Sequence, residues 1–143
     1  MVTQHEILRL GYQGDGVAAG PVYAPGTLPG ETVSGTLNGT QLTEVRIETP
    51  SSDRVKPPCR HAKACGGCQL QHASDRFVSD WKQEIVATAL EAQGLAAPIR
   101  GIVTSPTQTR RRAVVSVRRT KKGAMAGFHA RGSDVIIQIP DCQ

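Results

Sequence analysis

Four cysteines carry the most specific chemistry in this sequence. Cys59, Cys65 and Cys68 form a C-x5-C-x2-C run with Gly66 and Gly67 between the last two, and Cys142 stands far along the chain. Three thiolates packed into ten residues can wrap one compact, soft centre. The glycines let the backbone turn tightly and bring its N–H groups up to the sulfurs, as anionic metal–thiolate clusters require. An iron–sulfur cube takes four thiolates, several from a short loop and one from a distance, and Cys142 can supply the fourth. Zinc stays open as a second reading, because structural zinc takes four tetrahedral ligands, usually as two close pairs. Only Cys65/Cys68 is such a pair, and His61 or His72 could complete the set around it and Cys59. A redox disulfide at Cys65/Cys68 is the third reading, without the strand–helix–strand surroundings of a thioredoxin motif. Whatever the centre, its role reads as structural: it ties a loop to a distant part of the chain and stands in for a core that a small unit cannot build.

The second chemical signal is charge. The net charge is +5, and it is unevenly spread: residues 1–52 carry net −3 and residues 53–143 carry net +8. From Ala92 to Ser133 there is no carboxylate and there are nine Arg or Lys. A field of one sign points to a polyanion, most often nucleic acid, with a merely solvated basic face as the bland reading. The phosphate-contacting candidates are Lys56, Arg110, Arg111 and Arg112, then Arg118, Arg119, Lys121 and Lys122. If Arg110–Arg112 run as a strand, Arg110 and Arg112 share one face and Arg111 takes the other. Five aromatic side chains in all leave little for base stacking, so backbone and shape contacts are expected, with Phe128 and His129 as candidate stackers.

These residues need elements to position them. His5–Leu10, Val17–Ala24, Glu31–Leu37 and Gln41–Glu48 read as strands, separated by turn clusters at Gly11–Gly16, Pro25–Gly30 and Asn38-Gly39. Short strands at this spacing with glycine-rich turns predict a small barrel. Gly14-Asp15-Gly16 with Ala19-Gly20 is partly similar to a dinucleotide glycine loop, but no strand–helix crossover follows, so a hairpin turn with Asp15-Gly16 is the better reading. Ser74 reads as the N-cap of an amphipathic helix over 75–93, with Phe77, Val78, Trp81, Ile85, Val86, Ala89 and Leu90 at helical spacing and Gly94 as C-cap; it is expected to be a core element. Ala113–Val117 and Asp134–Ile139 alternate like strands. The predicted fold class is therefore mainly β with one amphipathic helix, and the core is expected to be thin and aliphatic. No apolar run approaches the ~18 residues of a membrane span. Residues 1–30 lack the pattern of a signal peptide, so a cytoplasmic protein with no membrane partner is expected.

The string Cys59-Arg-His-Ala-Lys-Ala-Cys65-Gly-Gly-Cys68-Gln-Leu-Gln71-His72 resembles the cluster loop of the RNA (uracil-5-)-methyltransferases, and Ser52–Pro58 is similar to what precedes that loop. Gly14–Ala18 and Pro25–Glu31 resemble their TRAM domain, and Trp81-Lys82, Thr109–Ala113, Gly127-Phe128-His129 and Ile139–Cys142 resemble the start of their central domain. The resemblance implies a five-stranded TRAM/OB-like RNA-binding barrel over 1–52 and a cluster loop over 53–73, then the start of an α/β central domain over 74–143. It implies a 4Fe–4S cluster held by Cys59, Cys65, Cys68 and Cys142, and RNA as partner, with 23S rRNA favoured over tRNA. The family's catalytic module binds S-adenosylmethionine and carries an attacking Cys and a general base. None of these has a counterpart here, so the chain alone is expected to be monomeric and inactive, the front part of a longer enzyme. The alternative is a stand-alone structural or zinc-binding module that binds RNA; a metal module that binds no RNA is the third reading.

Overall fold

The computed structural model describes Met1–Cys142; the last position of the 74–143 segment, Gln143, lies outside the described residues. The chain forms two compact units that interleave in sequence. One contains Met1–Lys56 and His72–Val103, the other Pro57–Gln71 and the chain from Thr104 onward.

The first unit is built on a closed TRAM/OB-like barrel of β1 (Val2–Leu10), β2 (Gly16–Ala18), β3 (Val22–Ala24), β4 (Thr32–Asn38) and β5 (Gln41–Thr49). Its strand order is β1-β2-β3-β5-β4. The strand expected over Val17–Ala24 is two strands, because Gly20, with φ 121°, and Pro21 turn the chain back on itself. Closure comes from a single parallel bridge, Tyr23 to Gln41, with the Tyr23 N–H donating to the Thr40 carbonyl at 2.8 Å. Ile7, Ala18, Val22, Ala24, Val33 and Leu42 fill the core, all aliphatic as composition requires. Each such side chain contributes about 1.5–3 kcal/mol when fully buried. A bulge between Ile7 and Arg9 breaks the alternation of β1, so Leu10 points inward while Leu8 stays exposed.

Gly16 is needed for packing and not for the hairpin turn assigned to it. A Cβ there would sit 1.9 Å from the Thr27 hydroxyl and 2.8 Å from Ile7 Cγ2. Thr27 itself is fully buried and donates from Oγ1 to the Ala24 carbonyl at 2.8 Å.

Helix α1 (Asp75–Ala92) begins at Ser74, whose Oγ accepts from the Phe77 N–H at 3.2 Å and donates to Asp53 at 3.0 Å. Gln93 is the C-cap and Gly94 lies one residue beyond it, in the left-handed region at φ 67°. The Gly94 and Leu95 N–H groups close back on the Glu91 and Leu90 carbonyls, a Schellman ending. The helix is not the core element the periodicity predicts: none of its residues is buried. Phe77, Trp81 and Ile85 instead line an open groove of about 1070 Å³ with Leu8, Leu10 and Tyr12.

The second unit holds an antiparallel sheet in the order β6 (Ser116–Thr120), β7 (Gly123–His129) and β8 (Ile136–Gln138). The first strand starts later than the expected Ala113–Val117, and residues 113–115 carry no regular structure. The middle strand has no counterpart among the expected ones, because Gly123-Ala124-Met125-Ala126-Gly127 lacks the branched and aromatic residues that mark strands. Among the described residues of this unit, only Cys59 and Ile136 are buried apolar side chains.

Candidate metal centre and nucleic-acid interface

The cysteine loop is folded by its own backbone and fastened to β7. The Ala62 N–H donates to the Cys59 carbonyl and the Cys65 N–H to the His61 carbonyl, which coils the loop between the first two thiols. Cys65 then bridges Ala130, and the Gly66 N–H donates to the His129 carbonyl at 2.8 Å. A Cβ on Gly66 would lie 2.7 Å from that same carbonyl, and one on Gly67 would lie 3.0 Å from the Phe128 ring. These two glycines therefore let the loop press against the strand. They also do what the spacing predicts: the Gly67 N–H donates to Cys65 Sγ at 3.3 Å, and the His61 N–H donates to Cys59 Sγ at 3.4 Å.

None of the four cysteines is in a disulfide. Cys59 is buried, Cys65 half-buried, and Cys68 and Cys142 exposed. Burial, and then repulsion from the thiols of Cys68, Cys59 and Cys65, pushes the Cys142 thiol up, while Arg110 opposes the rise. Cys68 and Cys142 line the same open cavity. Among the described residues, no group of three or more His, Cys, Asp or Glu is placed to hold a metal ion. A lone zinc draws its thiolates to about 2.3 Å from one point.

The two histidines offered as zinc ligands have other partners. The His72 ring is buried in the barrel unit, 3.4 Å from the Thr27 carbonyl. The His61 ring is hydrogen-bonded to Asp141 Oδ1 at 2.8 Å. Asp141 is further paired with Arg60 at 2.9 Å. The His61 bond, with the Arg60 charge, holds the Asp141 carboxyl below the usual carboxylate range.

The basic residues divide into three places. Arg110, Arg111 and Arg112 line an open cavity of about 910 Å³ together with Cys68, Cys142 and Phe128. They do not run as a strand, so the alternation of faces expected for them does not hold; Arg110 Nε instead donates to the Arg112 carbonyl at 3.1 Å. Arg118 and Arg119 are exposed on β6, Arg118 donating to the Asp134 carbonyl at 3.4 Å, and Lys121 and Lys122 form the β6–β7 turn. Lys56 is exposed at the end of the barrel unit's first segment. Phe128 is half-buried at the cavity and His129 is exposed.

Two polar networks escape sequence reasoning. One is the Asp141 pairing, whose only signal is adjacency to Cys142. The other is in the barrel unit, where the fully buried Glu31 accepts from Arg54 Nε at 2.5 Å and Nη2 at 2.8 Å, and from the Leu28 and Ser51 N–H groups. Nothing in residue type or spacing marks that pair.

No family model matches this chain. It is 43% identical over 143 aligned residues to an uncharacterised RNA methyltransferase of Rhizobium meliloti (strain 1021), covering 94% of this chain and 34% of that one. It is 34% identical to the 23S rRNA (uracil(1939)-C(5))-methyltransferase RlmD of Halomonas elongata, covering 93% of this chain and 30% of that one. The structure of the Pyrococcus abyssi tRNA (uracil-54, C5)-methyltransferase, in complex with S-adenosyl-L-homocysteine, is similar in fold. Its TM-score is 0.59 at 22% identity, over 97% of this chain and 32% of that one. The chain spans about a third of the length of the curated relatives it matches. Over nearly its whole length it matches the RNA (uracil-5-)-methyltransferase family, of which it covers the N-terminal portion.

Proposed function

We propose that this chain is the RNA-recognising, cluster-carrying N-terminal part of an S-adenosylmethionine-dependent methyltransferase acting on uracil C5, with 23S rRNA as substrate. The observation that carries the reading is the cavity that Cys68 and Cys142 share with Arg110–Arg112, with Cys59 and Cys65 on the same loop as Cys68. The donor set is four thiols, two of them already accepting backbone N–H groups, which fits a 4Fe–4S cluster. When bound, such a cluster supplies four iron–thiolate bonds that tie the loop to the chain near Cys142. Among the described residues of this unit Cys59 and Ile136 are the only buried apolar side chains, so those bonds would strengthen a small core.

In this reading the arginines beside the cluster hold RNA by its phosphates, and the barrel presents a second surface to the same molecule. Methyl transfer belongs to the length of the relatives that this chain does not span, since all four cysteines are engaged as ligands and none remains to attack uracil. Anaerobic reconstitution followed by visible absorption and iron and sulfide analysis tests the cluster. About four irons and four sulfides per chain are expected. A colourless protein that takes up one zinc overturns it in favour of a zinc-binding RNA module.

A further inference from the structure

The residue before Cys142 is held by the two residues that follow Cys59. Arg60 Nε is ion-paired with Asp141 Oδ2 at 2.9 Å and donates to His61 Nε2 at 3.3 Å, and the His61 ring is hydrogen-bonded to Asp141 Oδ1 at 2.8 Å, 80 residues along the chain. His61 works at both ends: its backbone N–H is on the Cys59 sulfur, and its ring is on the neighbour of Cys142. Both carboxylate oxygens are thereby taken, which fixes orientation as well as distance.

A holding device is needed at this place. Bringing a distant thiol back to the loop carries a loop-closure cost, and gathering four thiolates adds repulsion. Apolar packing cannot offset these costs, because among the described residues of this unit only Cys59 and Ile136 are buried apolar groups. The Arg60 and Asp141 side chains are 69% and 45% exposed, so the pair contributes little to global stability. Its geometry serves location instead.

We propose that Asp141 is a positioning residue, latched by Arg60 and His61 so that Cys142 waits at the cysteine loop, on the cavity it shares with Cys68, before any cluster binds. The proposal rests on the reading that these four thiols hold the cluster. The consequence is that the fourth ligand is delivered at little further entropic cost and leaves slowly.

The test uses the 143-residue chain as wild type, Asp141→Asn, Asp141→Glu and Arg60→Gln. In the metal-free arm, reduced protein reacts with a short bismaleimide, and the crosslink between the exposed Cys68 and Cys142 thiols is measured by peptide mass analysis. In the loaded arm, protein reconstituted with ferrous iron and sulfide releases iron to a ferrous chelator under anaerobic conditions. Asp141→Asn is expected to crosslink about tenfold more slowly and to release iron about tenfold faster, the usual scale for removing a group that orients a ligand. Asp141→Glu is expected to recover most of both, and Arg60→Gln, at an exposed position, to shift both in the same direction as Asp141→Asn. Wild-type behaviour of Asp141→Asn and Arg60→Gln in both arms overturns the latch. A wild-type chain that takes up no iron and sulfide sinks the cluster reading alone, and the metal-free arm then decides the latch by itself.

Discussion

Glu31 is fully buried and still ionised. Burial works to raise its pKa, but the Arg54 hydrogen bonds, the Leu28 and Ser51 N–H groups and the Arg54 charge together outweigh it and hold the carboxyl below the usual glutamate value. A folded-state pKa below the unfolded one stabilises the protein above the unfolded value, about 4.3, and that contribution is lost as pH falls through the folded value. Glu31→Gln is therefore expected to lower unfolding stability by about 3 kcal/mol at neutral pH, since Arg54 is left beside a partner without charge. The gap between wild type and variant should shrink as pH drops below about 4.3. Urea melts of both proteins at several pH values check this, and a gap independent of pH would show that the charge is not what matters. The residue scale also separates what sequence reading reaches from what it does not. The cysteine set stands out in the sequence because thiols are few and closely spaced, and its ligand role is the proposed one. Glu31 and Arg54 are 23 positions apart and ordinary in type, so only the folded barrel reveals them. Gly16 carries a visible signal with the wrong cause: a glycine beside Asp15 reads as a turn, while the Thr27 hydroxyl is what excludes a side chain.

At the scale of elements, local signals work where the backbone decides and fail where tertiary contact decides. The ends of α1 are read to within a residue or two, because Ser74 and Gly94 act through hydrogen bonds to their own helix. Ser74→Ala is expected to cost about 1 kcal/mol, measured by thermal melts, with part of the loss coming from the released Asp53. The burial of the helix was not legible, since an apolar stripe states that a face can be covered and not what covers it. Strand β7 was missed for the converse reason. Its small residues are poor strand formers, and the sheet needs them small where neighbouring backbone comes close: a Cβ on Gly127 would sit 1.8 Å from the Ile137 carbonyl. The cysteine loop depends on the same strand. Gly66→Ala would force the loop off the His129 carbonyl, and it is expected to lower iron retention severalfold while the barrel melts unchanged. Equal iron retention in wild type and variant would separate the loop's seat on β7 from cluster binding.

Across the whole molecule, the +5 charge resolves into an acidic barrel half and a basic half that carries the thiols. The arginines of the cavity do not all do one thing. Arg110 shares its cavity with Cys68 and Cys142 and opposes the rise in the Cys142 pKa, so in the proposed reading its charge serves the cluster. Arg111 and Arg112 line the same cavity, and in the proposed reading their charges meet phosphate. Each phosphate contact adds about 0.7 to the slope of log affinity against log salt on single strands. Arg111→Ala and Arg112→Ala are therefore each expected to flatten that slope for a uridine-containing RNA by up to about 1, with the same weakening on unrelated RNA sequences. Arg110→Ala should leave the slope nearly unchanged and instead speed the release of iron, because a thiolate centre has lost its neighbouring cation. Fluorescence anisotropy at two or more salt concentrations, with iron release measured on the same preparations, checks both outcomes. If Arg110→Ala flattens the slope as much as Arg111→Ala does, all three arginines face the nucleic acid and the centre is neutralised by something else.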